Sequence, residues 1–257
     1  MFAGLFRPRW QHKDPEIRRQ AVIGLSIRDP EQAKTLALLA RGDSDPSVRA
    51  CACQQLTDMA LLDQVIQHDA CAEVKDAASL QVKELLAGNI EQGPSLENRL
   101  RLIGLTDNQS VLAHVALHSK DPACSSMAVE RLSDQTLLCE LALSAPLEET
   151  RVAACAAVRD ETVLRQIIKS ASAKRLQRQA RDQLKALQQG QRDQQALEQK
   201  QAQLLEQLSW LQSHPQDPLF EGRLTQAIQH WQELHDAAPE LAAELKDQLE
   251  ACQALYD

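Results

Sequence analysis

His114 and His118, four residues apart, have the spacing in this chain that could most directly do chemistry. One helical turn puts both imidazoles on the same side of a helix, where they could share a divalent metal with Asp121, Cys124 or Cys139 as further ligands. Their neighbours argue against that use. Val111, Leu112 and Val115 take the buried side, which turns both histidines toward solvent, and a histidine in the last turn of a helix is already satisfied by the helix dipole. The patterns GxxxxGK[ST], GxSxG, GxGxxG and HExxH do not occur, so the phosphate cradle, the nucleophile elbow and the zinc-protease helix lack their residues. The expectation is a protein that is not an enzyme, with no cofactor and no metal site.

Cations form two further patterns. Arg18, Arg49, Lys75 and Arg151 recur at one position of a repeating unit. They read either as a binding ladder on one face or as bridges to acidic caps and carbonyls of the adjacent unit, and guanidinium geometry favours the bridges. The second pattern is denser: residues 165–192 carry eight basic side chains against Asp182 alone, while residues 193–257 carry 12 acidic and 3 basic ones. Lys174, Arg178, Arg181 and Lys185 fall on one helical face, opposite Leu176, Ala180, Leu184 and Leu187. These four are the candidate partner-binding residues. The stripe is solvated, or pairs with the acidic segment beyond it, or meets an acidic protein partner, or binds RNA or DNA. The last use lacks an aromatic residue to stack on bases, and a net charge of -8 repels phosphates as a whole.

The elements that must position these residues are short helices in tandem. An apolar anchor recurs at Leu25, Leu56, Val82, Leu105, Leu132, Val158 and Leu184, at gaps of 31, 26, 23, 27, 26 and 26 residues. Such a period belongs to stacked repeats, in which each unit buries its apolar face only against neighbours. Asp14-Pro15, Asp45-Pro46 and Asp121-Pro122 stand eleven and ten residues before their anchors and start helices: the carboxylate caps free amides and proline suits the first helical position. Positions eight, four and three before the anchor are apolar or small, as in Ile17, Ala21 and Val22 or Val48, Ala52 and Cys53. Two residues past the anchor Asp58, Asp107, Asp134 and Asp160 cap a second apolar helix, with Asp29 slightly displaced. About seven helical hairpins over residues 1–187 follow. The fourth matches poorly, because Arg101 falls where the others carry alanine and the Gly88 to Gly93 stretch reads as a looser loop.

With those residues in view, the chain resembles the HEAT-like class of helical repeats, with units near 26 residues that are shorter than the usual ones. Lys13-Asp14-Pro15-Glu16-Ile17-Arg18-Arg19-Gln20-Ala21 after Trp10, and Leu-Ser/Thr-Asp at 56–58, 105–107 and 132–134, are similar to the N-terminal region of bacterial proteins carrying the domain of unknown function 349. The resemblance covers most of the chain. It implies a bacterial cytoplasmic scaffold, whose named helical domain would follow beyond the last residue here, and it supplies no catalytic residues.

Beyond the repeats, Gln177 to Gln216 contain 14 glutamines in 40 residues, with Leu197, Leu204 and Leu211 at heptad spacing beside Leu205 and Leu208. Pro215 and Pro218 end that helix. Phe220, Leu224, Ile228, Trp231 and Leu234 mark a second one, and Leu241, Leu245, Leu249, Cys252 and Leu255 a third. Residues 188–257 are therefore expected to form an antiparallel hairpin or three-helix bundle, or a coiled coil with another chain, with Trp210 and Trp231 as packing anchors.

The fold class expected is all-α: an α-solenoid of short hairpins closed by that bundle. Seven cysteines with no CxxC pair, and no apolar run of about 20 residues, point to reduced thiols in a soluble cytoplasmic protein. Phe2, Phe6 and Trp10 are expected to cap the first repeat, with a membrane or partner contact as the alternative. The function expected is a non-catalytic scaffold that binds a protein partner through its repeat surface; the alternative is a nucleic-acid-binding module using the stripe at 174–185.

Overall fold

The computed structural model describes residues 8–255, so Phe2 and Phe6 lie outside the described residues. Every regular element among those residues is helical. After a 3-10 turn, Arg9–Gln11, come α1 (Pro15–Ile23), α2 (Pro30–Gly42), α3 (Pro46–Cys53), α4 (Met59–His68), α5 (Ala72–Ala87), α6 (Leu96–Leu105), α7 (Gln109–His118), α8 (Pro122–Arg131), α9 (Gln135–Ser144), α10 (Glu148–Ala157), α11 (Glu161–Ser170) and α12 (Lys174–Ser213). The last three are α13 (Phe220–Ala237), α14 (Pro239–Ala243) and α15 (Lys246–Ala254). The chain divides into two compact units, Met1–Arg181 and Asp182–Asp257, so the division falls inside α12.

The first unit is an α-solenoid of two layers. One layer stacks α1, α3, α5, α6, α8 and α10 in that order; the other places α2 on α4, α7 on α9, and α9 on α11. Aspartates set the starts. Asp14, Asp45 and Asp121 each accept an amide of the first turn behind a proline, and Asp29, Asp58, Asp134 and Asp160 do the same for α2, α4, α9 and α11. For α7 the cap is Asn108 instead of the expected Asp107, which is drawn off by Arg131 at 2.5 Å. Between the layers lie Leu36, Leu62, Leu85, Ile103, Leu112, Leu138, Leu164 and Ile167, all fully buried. Each contributes roughly 1.5–3 kcal/mol of transfer free energy.

Three features depart from the expected repeat, the first being that the seventh hairpin is replaced by the single long helix α12, within which its anchor Leu184 lies half-buried. The third unit is one helix and not a hairpin: where other units turn and cap two residues past the anchor, this one carries Glu84 followed by the helix formers Leu85, Leu86 and Ala87. α5 therefore runs on to Gly88 and packs against both α4 and α7, bridging the second layer. The fourth anchor is also misplaced. Leu105 is 69% exposed, and Ile103 fills the core in its place. Counted from the true cap, Ser95, the ladder cation of this unit is Arg99, while Arg101 is exposed.

The second unit packs the later part of α12 with α13, α14 and α15 around Leu204, Leu208, Leu211, Phe220, Leu224, Ala227, Leu234, Leu245, Leu249 and Cys252. The third expected helix is broken at Glu244 and Leu245 into α14 and α15. Trp210 and Trp231 pack partly buried against this core. Trp231 Nε1 donates to the Ala242 carbonyl at 2.9 Å, and Arg223 stands 4.3 Å from the Trp210 ring centroid while pairing with Asp217.

Candidate functional site

The first-layer cations form rungs. Each stands four residues past its N-cap: Arg18 after Asp14, Arg49 after Asp45, Lys75 after Cys71, Arg99 after Ser95 and Arg151 after Leu147, with Ser125 after Asp121 in the fifth unit. Arg18 grips Asp43, the C-cap of α2, through Nε and Nη2 at 2.7 and 2.6 Å, and its Nη1 donates to the carbonyls of His12 and Lys13. Arg49 repeats the arrangement on Asp69, the C-cap of α4, at 2.7 and 3.0 Å, with Nη1 donating to the Asp43 carbonyl at 2.8 Å. Both carboxylates also accept a backbone amide two residues on, from Asp45 and Cys71. These forked, partly buried pairs raise the Arg18 and Arg49 guanidinium pKa, and the bond from Arg49 holds the Asp69 carboxyl below the usual carboxylate value.

In the later rungs the helix C-cap no longer carries a carboxylate. Arg99 lies 3.6 Å from Asp121 and packs so closely over Gly88 that a Cβ there would stand 2.1 Å from its Nη1; the C-cap of α7 is Ser119. In the fifth unit Ser125 replaces the cation, with a buried Oγ that has no hydrogen-bond partner among the described residues, and the C-cap of α9 is Ala145. In the sixth, Arg151 Nη1 donates to the Ala145 carbonyl at 2.7 Å, while the C-cap of α11 is Ala171. Gln177 holds the Ala171 carbonyl at 2.7 Å. The intramolecular bridge is thus the use to which Arg18 and Arg49 are put. Among the described residues Lys75 and Arg151 have no such carboxylate grip, and Arg99 was hidden by the one-residue shift of its unit.

Lys174, Arg178, Arg181 and Lys185 are all exposed on α12, whereas Leu176 and Ala180 are buried and Leu184 and Leu187 are half-buried. Lys174, Arg178 and Arg181 belong to the first unit and Lys185 to the second. Nearby, Arg175 pairs with Glu148 and Arg165 with Glu161.

The histidine pair is placed differently from expectation. His118 is exposed, but His114 is half-buried, and its Nε2 meets Glu84 of α5 at 2.9 Å. The two rings are 4.3 Å apart at their centroids. Burial, then the neighbouring His118, push the His114 pKa down despite Glu84. Burial raises Glu84, but bonds from Asn89 and His114 prevail and leave it lowered. Lys83 donates to Ser110 at 2.8 Å beside them, and with Leu117, Leu137 and Glu140 they line an open cleft of about 220 Å³ between α7 and α9. No group of three or more His, Cys, Asp or Glu among the described residues could hold a metal, so Asp121, Cys124 and Cys139 do not complete a site with the histidines. Glu84 was missed because the repeat pattern assigns its position to a loop.

All seven cysteines are free thiols. Burial pushes Cys53 and Cys155 up to about 11, which suppresses the reactive thiolate. No helix among the described residues is long and apolar enough to cross a membrane. Comparisons with protein-family models, with curated proteins and with solved structures gave no match for this chain.

Proposed function

We propose that this chain is a non-catalytic interaction scaffold of HEAT-like repeats, working in a bacterial cytoplasm, that binds a protein partner through its repeat surface. Lys174, Arg178, Arg181 and Lys185 are the residues assigned to contact. The observation that carries the reading is the contrast between two sets of cations. Arg18 and Arg49 are spent on forked, largely buried internal pairs, whereas Lys174, Arg178, Arg181 and Lys185 lie exposed on α12, on the side away from buried Leu176 and Ala180. Solvated cations on a rigid helix suit long-range attraction and the charged rim of an interface. Unpaired, burial-suppressed thiols suit a reducing compartment.

The test is affinity capture with the purified chain and with a variant carrying Lys174→Glu, Arg178→Glu, Arg181→Glu and Lys185→Glu. The scaffold reading expects a reproducible protein partner that the variant loses while its melting temperature stays near that of the parent. Capture of an unchanged set of proteins by the variant contradicts the assignment. The stripe's density of positive charge favours one other reading, a nucleic-acid-binding module, and salt-dependent binding of RNA or DNA that the same variant abolishes would carry it.

A further inference from the structure

We propose that Arg151 is an open carboxylate receptor at the C-terminal end of the solenoid, and that it takes an aspartate or glutamate side chain from an acidic segment of a partner protein. This rests on the scaffold reading and names the chemistry of the partner.

In the first two rungs an arginine four residues past the N-cap turns Nη1 onto a carbonyl six residues before it, and offers Nε and Nη2 to the carboxylate that caps the C-terminus of the helix after its own. Arg151 reproduces the first half: it is half-buried, and its Nη1 donates to the Ala145 carbonyl, six residues back, at 2.7 Å. Its Nε and Nη2 have no hydrogen-bond partner among the described residues, because the C-cap that supplies Asp43 and Asp69 elsewhere is Ala171. The backbone at that cap is the same. Ala171 has φ -68 and ψ 132, Asp43 has -66 and 138, and Asp69 has -64 and 140, and each donates its own amide to a carbonyl four residues earlier. A Cβ methyl therefore stands where the first two rungs carry a carboxylate. The amide of Ala173 occupies the place from which Asp45 and Cys71 donate to those carboxylates, and it too has no acceptor among the described residues.

Charge identifies the occupant. Residues 165–181 contain six cations and no acidic residue. Arg165 and Arg175 are paired within the fold, whereas Lys169, Lys174 and Arg181 are exposed with no acidic partner among the described residues. An arriving carboxylate meets a forked guanidinium that is already oriented, inside a positive field on α11 and α12. The planar fork matches a carboxylate in two bonds, and residues 165–181 offer no aromatic face to a nucleobase, so an acidic protein segment is favoured over RNA or DNA.

The probe is a fluorescent helical peptide rich in glutamate, titrated by anisotropy at about 50 mM salt, where surface charges are weakly screened. Arg151→Gln should weaken binding about tenfold, as should Ala171→Asp, which places an internal carboxylate in the fork. Arg151→Gln could act by loosening the fold. Ala171→Asp cannot be explained that way if, as expected, it raises the melting temperature. Wild-type affinity in both variants overturns the proposal, as does an oligothymidylate of equal charge binding more tightly than the peptide. If the captured partner is lost from the stripe variant but kept by Arg151→Gln, the scaffold reading stands and the carboxylate receptor falls.

Discussion

The Arg49–Asp69 rung is the clearest case of a single residue pair holding the array. Their side chains retain 13% and 8% of their exposure, and removing one partner strands the other in a poorly hydrated place. Arg49→Met should therefore cost about 3 kcal/mol by denaturant unfolding at pH 7. The sign of the pH dependence follows from the lowered Asp69 pKa. A carboxyl depressed by folding lends stability that is complete above its ordinary value of 3.8 and is lost as pH falls through the folded value. The stability difference between the parent and Asp69→Asn should accordingly shrink as unfolding is repeated toward pH 3. A gap that stays constant down to acid would show that the pair contributes nothing as an ion pair. Thiol chemistry is a second check at this scale: Cys53 and Cys155, pushed up to about 11, should react with a disulfide reagent far more slowly than the half-buried Cys71 at neutral pH.

At the scale of elements, caps and stripes are what the sequence announces. Asp-Pro pairs and small residues every three to four positions place α1, α3 and α8 and their neighbours, because those signals act within a turn or two. The exception is α5, where Glu84 stands in place of a capping aspartate two residues past the anchor and the expected hairpin becomes a single rod ended by Gly88. Gly88 has φ 78 and closes the helix with the Asn89 amide on the Glu84 carbonyl at 3.0 Å. Gly88→Ala should destabilise by roughly 1–2 kcal/mol, since it adds left-handed strain and drives Arg99 from its seat. Equal stability in a thermal melt would remove Gly88 from that role. The fourth unit teaches the same lesson about range. Leucine at 105 looks like an anchor by spacing alone, but the register is set by the Ser95 cap, and that shift hid Arg99.

For the molecule as a whole, two cores are built by different means. The first joins thin layers of Leu, Ile, Val and Ala between stacked helices, and the second gathers leucines of α12 with Phe220, Leu224 and Leu249. Leu208→Ala should cost the second core about 2–5 kcal/mol, while hydrogen exchange of amides in α4 and α7 stays unchanged. The helical class and the stripe from Lys174 to Lys185 were legible because composition and period carry them. The open fork at Arg151 was not, since its meaning depends on comparing C-caps that lie 20 or 25 residues along the chain from each rung and that only folding brings beside it. That comparison makes one substitution decisive for the rung geometry: the melting temperature of Ala171→Asp. An internal carboxylate in a preformed fork should raise it by about 2–4 °C. An unchanged or lowered melting temperature would mean that Arg151 is not poised as Arg18 and Arg49 are, and the account of an open receptor on the solenoid would be wrong.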